Sequence, residues 1–302
     1  MNIIETHQLS RRYGRAEAVH GLDLSVPAGS IFAFIGPNGA GKTTTIKVLM
    51  NLLEPTGGEA LVLGVDSRRL GPGERRQIGY VSENQKLPDW MTVRQLLDYC
   101  RPFYPSWDRD LEAKLLRQFE LPPGRKIRNL SRGMMMKAAL LSSLAYRPRL
   151  LVLDEPFSGL DPLVRDEFVR GVLEASQQDE WTLFISSHDI NEVEQLADWV
   201  GMIDGGRMRS VEPSEALQGR FRRVEVTLHG PDLSREDPPA SWLELERSGN
   251  VVRFIESRYS PEGFERRRRD HFAGAEIVLS PMTLREIFVV LARSHRGTAS
   301  AA

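Results

Sequence analysis

Runs of apolar residues without polar interruption set the frame of the chain. Residues 31–35 (Ile-Phe-Ala-Phe-Ile) end in a glycine, residues 150–153 (Leu-Leu-Val-Leu) end in Asp154-Glu155, and residues 182–185 (Thr-Leu-Phe-Ile) end in Ser186-Ser187-His188. Runs this short and continuous fit parallel strands buried on both faces. Ligands bind beyond the carboxyl ends of such strands, and each run releases polar residues there. Strand-like and helix-like segments alternate over residues 1–220, which predicts an α/β domain.

Between Glu83 and Tyr146 the pattern turns helical. Residues 90–100 and 111–119 read as helices, with Pro102, Pro105, Pro122 and Pro123 as breakers. Residues 83–146 are therefore expected to form a helical insert within the α/β domain. Asp204-Gly205-Gly206 predicts a hairpin turn. Beyond it lie strand-like segments at 224–228, 251–255 and 275–279, separated by Asp237-Pro238-Pro239 and Ser260-Pro261-Glu262-Gly263. With a closing helix over 283–293, they predict a small α+β domain over residues 221–302.

Composition narrows the possibilities. The 302 residues carry 40 Lys+Arg against 41 Asp+Glu, a formal net charge of -1. That balance gives no general pull toward nucleic acid or anionic membrane, so no nucleic-acid partner is expected. No apolar run approaches the roughly 18 residues that a membrane-spanning helix needs, so no direct membrane span is expected. The opening Met-Asn-Ile-Ile-Glu-Thr-His lacks a basic end followed by an apolar stretch, and no secretory signal is expected. A single cysteine, Cys100, excludes an internal disulfide and cysteine-based zinc sites. It fits a reducing compartment and is expected to be a packed thiol. The run Arg266 to Arg269 is expected on a solvated face, with contact to anionic lipid or a partner as the sharper alternative.

Residues 36–44 read Gly-Pro-Asn-Gly-Ala-Gly-Lys-Thr-Thr, after a predicted strand and at the start of a predicted helix. This is the full P-loop pattern. Gly36, Gly39 and Gly41 permit backbone shapes and close approach that side chains forbid. Asn38, Ala40 and Thr44 complete a cradle whose amides point at a chain of phosphates. The following helix adds its partial positive charge, and its apolar face falls on Ile46, Leu49, Met50 and Leu53. Lys42 is expected to contact the β- and γ-phosphates and the Thr43 hydroxyl to ligate Mg²⁺. At the polar end of residues 150–153, Asp154 is placed to hold the Mg²⁺ shell. Glu155 is placed as general base or water-orienting group for attack on the γ-phosphate.

With these residues in order, the chain resembles the nucleotide-binding subunit of ATP-binding-cassette (ABC) transporters over residues 3–220. Leu-Ser-Arg-Gly-Met at 130–134 is similar to the family's Leu-Ser-Gly-Gly-Gln signature, Ser158-Gly159-Leu160-Asp161 matches its D-loop, and Ser187-His188-Asp189 supplies its switch histidine. Tyr13 stands where the family places an aromatic ring against adenine. The resemblance implies a P-loop NTPase fold of ABC type with a helical subdomain. It also implies ATP and Mg²⁺ as substrate and cofactor, with His188 holding the attacking water. Two subunits would sandwich two ATP molecules head to tail. Ser131 and Gly133 would cover the γ-phosphate bound by the opposite subunit, and Asp161 would position that subunit's site. A separate transmembrane permease would dock on the insert, holding the chain on the inner face of the cell membrane, in the arrangement of ABC-2-type exporters. The pair is expected as a homodimer or as a heterodimer with a related chain. A soluble cassette ATPase acting on ribosomes or DNA is the alternative.

Two motifs depart from the family pattern. The signature's first glycine is replaced by Arg132 and its glutamine by Met134. In the loop Gly79-Tyr-Val-Ser-Glu-Asn-Gln, Glu83 takes the place of the family's glutamine and is expected as a Mg²⁺ ligand, directly or through water. Gln85 takes that place instead if the loop bulges by two residues.

Overall fold

A computed structural model describes residues 1–176, 181–228, 238–272 and 274–299. The chain divides into two units, Met1–Val211 and Glu212–Ala302. In chain order the elements of the first are β1 (Asn2–Tyr13), β2 (Ala16–Pro27), β3 (Ile31–Ile35), α1 (Lys42–Leu49), β4 (Gly57–Val62), β5 (Val65–Asp66), α2 (Pro72–Arg75), β6 (Ile78–Ser82), α3 (Val93–Cys100), α4 (Arg109–Gln118), α5 (Arg132–Leu144), β7 (Leu150–Asp154), α6 (Pro162–Ser176), β8 (Thr182–Ser187) and β9 (Trp199–Asp204). The unit boundary falls within β10 (Arg207–Pro213).

The apolar runs become the centre of a six-stranded sheet of order β10-β9-β3-β8-β7-β6. β3, β8, β7 and β6 are mutually parallel, the arrangement in which strands are covered on both faces. β7 and β8 are buried at every position. Phe184 stacks against Phe32 at 5.6 Å and lies 5.3 Å from Phe34, joining β8 to β3. A second, antiparallel sheet of order β2-β1-β4-β5 closes over the same core through Ile4, Leu9, Leu22 and Val62. The parallel register matters most. Phe34, Ser186, Asp154 and Ser82 stand side by side, so four strand ends finish level with one another.

The insert between β6 and β7 carries α3, α4 and α5, and each helix start has a local cause. Thr92 and Gln95 exchange side chain-to-backbone bonds in a capping box at 3.2 and 2.8 Å. Asp108 caps α4 by accepting from the Leu111 N–H at 2.8 Å. Ser131 caps α5 by accepting from the Met134 N–H at 3.2 Å. α5 then buries Met136, Ala138, Leu140, Leu141 and Leu144.

The second unit is an antiparallel sheet with helices. Its strands are β11 (Arg222–Thr227), β12 (Trp242–Ser248), β13 (Val251–Glu256) and β14 (Glu276–Pro281), in the order β12-β13-β11-β14. Its helices are α7 (Ser214–Arg220), α8 (Pro261–His271) and α9 (Leu284–Ala299). Trp242, Phe254 and Phe272 stack at 4.2 and 5.2 Å from the tryptophan ring and form its centre with Val224 and Val226. Three predicted strands and the closing helix are present, but β12 and α8 differ from expectation. Ser260-Pro261-Glu262-Gly263, read as a separator, starts α8: Ser260 accepts from the Gly263 N–H and proline takes the first turn. The arginine run lies on this helix, where Arg267 reaches Glu256 at 3.2 Å and Arg268 reaches Glu265 at 3.2 Å. Asp237 lies outside the described residues. Among the described residues no helix is long and apolar enough to cross a membrane.

Candidate functional site

The P-loop follows β3 and leads into α1, and its glycines are required by their surroundings. Gly39 and Gly41 have φ of +81° and +105°. A Cβ at Gly36 would stand 2.2 Å from the Ile203 carbonyl oxygen, and one at Gly41 would stand 2.5 Å from that of Ala18. Asn38, Gly39 and Thr43 face solvent, whereas Ala40 and Lys42 are buried. The Lys42 ammonium donates to the carbonyls of Gly36 at 2.5 Å and Pro37 at 3.1 Å. It forms an ion pair with Glu155 Oε1 at 3.1 Å. Thr44 lies half-buried in the first turn of α1.

Two strands away, β7 delivers the acidic pair. Asp154 Oδ1 accepts from Thr43 Oγ1 at 3.1 Å and from Ser186 Oγ at 2.8 Å. Burial pushes the Asp154 carboxyl above its ordinary range, and the hydrogen bonds from Ser186 and Thr43 oppose that shift. The Glu155 N–H donates to the same Ser186 hydroxyl at 3.0 Å. Glu155 itself has φ of +52°, a left-handed conformation uncommon for a non-glycine residue. That turn leaves its side chain between Lys42 and His188, whose Nδ1 lies 2.7 Å from Oε2. With Glu155 ionised, Nδ1 carries the proton and donates to the carboxylate. Lys42, Thr43, Asp154, Glu155 and His188 are thus linked in one chain of polar contacts.

The remaining expected residues lie around this centre. Tyr13 ends β1, pairs with Ala16 across the β1–β2 turn and is 45% exposed. The Ala18 carbonyl beside Gly41 brings that hairpin against the P-loop. Ser131 is exposed and Gly133 buried at the start of α5, where a Cβ on Gly133 would stand 2.8 Å from Val164. Asp161 Oδ1 accepts from the Val164 N–H at 3.0 Å and starts α6. The Glu83 N–H donates to the Asp154 carbonyl at 2.9 Å, but its carboxylate turns toward Arg132 at 2.8 Å and Ser158 at 2.7 Å instead of toward Thr43. Gln85 folds back, its Oε1 accepting from the Ser82 N–H at 3.3 Å.

Two participants were missed by sequence reasoning. Ser186 holds both acidic residues. Its only sequence signal is a polar residue where a buried strand stops being apolar. Ser158 was read as part of the D-loop alone, and nothing in its neighbours points to Glu83.

Comparison with known proteins agrees with this geometry. The family described as ABC transporter matches residues 19–158. The daunorubicin/doxorubicin resistance ATP-binding protein DrrA of Streptomyces peucetius is 37% identical over 306 residues, covering 95% of this chain and 92% of that protein. The Nod factor export ATP-binding protein I of Cupriavidus pinatubonensis is 31% identical over 240 residues, covering 76% and 73%. A solved ATP-binding subunit of an ABC transporter superposes with a TM-score of 0.65 at 26% identity, covering 72% of this chain and 92% of that one. A phosphate cradle, an acidic pair and a histidine linked on adjacent strand ends, together with relatives that match across most of their length, make this chain a member of the ABC transporter family, of the ATP-binding subunit type.

Proposed function

We propose that the chain binds ATP with Mg²⁺ and hydrolyses it to drive a separate transmembrane permease, in a head-to-tail pair of ATP-binding subunits. The observation that carries this reading is the linked set Lys42, Thr43, Asp154, Glu155 and His188 at neighbouring strand ends. The P-loop amides and Lys42 bind the phosphate chain. Glu155 orients a water and accepts its proton as the water oxygen bonds to the γ-phosphorus. The bridging P–O bond breaks, leaving ADP and inorganic phosphate. His188 is steadied by its bond to Glu155 and helps to hold the water.

The residues present fit Mg²⁺. Thr43 and Asp154 offer hard oxygen donors 3.1 Å apart, and Mg²⁺ commonly takes one or two protein ligands, substrate phosphates and waters. When bound it would neutralise charge on the phosphoryl oxygens. Ser131 and Gly133 supply a second anion-binding helix end, facing the nucleotide of the opposite subunit, with Asp161 positioning that subunit's site and Tyr13 against adenine. The opposite subunit is a second copy or a related chain. The relative named for Nod factor export supports outward transport, with the permease holding this chain at the inner face of the membrane.

Glu155→Gln tests the reading. Phosphate release should fall by roughly 10²- to 10⁴-fold while ATP still binds. Unchanged turnover would remove Glu155 from this role.

A further inference from the structure

We propose that Glu83 and Arg132 form a positioning latch that fixes the start of the signature helix α5 to the loop carrying the catalytic carboxylate. The inference rests on the ATPase reading above and concerns a contact made within a single chain.

Two separate segments converge on one carboxylate oxygen of a third. Glu83 Oε1 accepts from Arg132 Nη2 at 2.8 Å and from Ser158 Oγ at 2.7 Å. The backbone of Glu83 is held by its N–H bond to the Asp154 carbonyl at 2.9 Å, so the carboxylate projects from a fixed point beside the acidic pair. Ser158 belongs to the turn that follows Glu155, closed by the Ser158 N–H to the Glu155 carbonyl at 3.3 Å. The guanidinium also lies directly on this turn. A Cβ at Gly159, where φ is +68°, would stand 2.7 Å from Arg132 Nη1. The glycine is what lets the arginine come this close.

The position of Arg132 is electrostatically unfavourable unless it is paired. It is the first residue of α5, where the unsatisfied N–H groups and the helix dipole disfavour a cation. The first turn of α5 has no acidic residue to compensate. Glu83 supplies that charge from another segment. The side chains of Arg132 and Glu83 are 49% and 31% exposed, and a simple ion pair at such exposure contributes little stability. The worth of the contact therefore lies in geometry. Residue 132 sits between Ser131 and Gly133, so tying it down sets the direction in which that helix end faces a phosphate.

The test uses the full chain, with steady-state ATP hydrolysis, binding of a fluorescent ATP analogue and the thermal midpoint measured in parallel. Arg132→Ala should lower kcat about tenfold, a coupling typical of residues in one network. Affinity for the analogue, which reports the P-loop, should stay within about twofold because nothing in the cradle is touched. Arg132→Lys should recover most of the rate. The reversed pair Glu83→Arg with Arg132→Glu should be faster than either single reversal. Unchanged kcat in Arg132→Ala, or a lysine variant as slow as the alanine one, overturns the latch. If the reversed pair lowers the thermal midpoint, the lysine-against-alanine comparison decides. Glu155→Gln separates the two readings: if it abolishes turnover while Arg132→Ala does not change it, the latch fails and the ATPase reading stands. A wild-type chain with no turnover overturns both.

Discussion

His188 reaches Glu155 through Nδ1, 2.7 Å from Oε2, on the side of the carboxylate opposite the Lys42 ion pair. Glu155 is 8% exposed, so its charge is kept in place by neighbours more than by water. The same bond fixes the imidazole ring, since a histidine that donates from one nitrogen presents the other in a defined tautomer.

His188→Ala is therefore expected to lower kcat by about 10²-fold, at the lower end for loss of a positioned proton-handling group. ATP affinity should hold, because Lys42 and the P-loop amides are unaffected. Stopped-flow nucleotide binding beside steady-state phosphate release checks this. An equal loss in both would place His188 in binding instead.

Asp108 is expected to make stability of the helical insert depend on acid. Its carboxyl is held below the usual range, first by the Leu111 N–H and then by Arg147, against an opposing effect of burial. Arg147 Nε and Nη2 lie 2.9 and 2.8 Å from Oδ2. A lowered folded-state value gives stability that is present above the unfolded value near 3.8 and is lost as pH falls through the folded one. Asp108→Ala should cost about 1 kcal/mol at neutral pH through the lost cap, with the ion pair adding to it. The gap in thermal midpoint between variant and wild type should close in acid. A gap that persists unchanged at low pH would show that the charge of Asp108 contributes nothing.

Gly171 tests packing between α6 and the insert. Alanine favours a helix by about 0.8–1 kcal/mol over glycine, yet a Cβ here would stand 2.3 Å from Phe119 Cζ, and that ring is 1% exposed. Overpacking of a buried ring costs about 1–3 kcal/mol. The clash should win, and Gly171→Ala should lower the denaturant midpoint. A raised midpoint would mean that Phe119 moves aside freely.

Much of the site was legible because its chemistry is local in sequence. The P-loop, Asp154-Glu155 and Ser187-His188 each follow an apolar run, and β3, β7 and β8 appear where those runs stand. The contact of Glu83 with Arg132 and Ser158 spans 49 and 75 residues and depends on how three turns meet, which no pattern along the chain encodes. β12 escaped for another reason. Leu243, Glu244, Leu245 and Glu246 do alternate, but after Trp242 the strand is half-buried or exposed at every position and its register with β13 shifts between Leu243 and Glu246, so the alternation marks no buried face. In α8 the helix start uses the same serine, proline and glycine that make a turn, and only the residues that follow distinguish the two.

The helices of the insert leave the sheet from β6 and return to it through β7, and those strands are neighbours. An excursion of this kind is anchored at both feet by adjacent rungs, so the pairing of β6 with β7 holds Ser82 beside Asp154 whatever length of chain hangs between them.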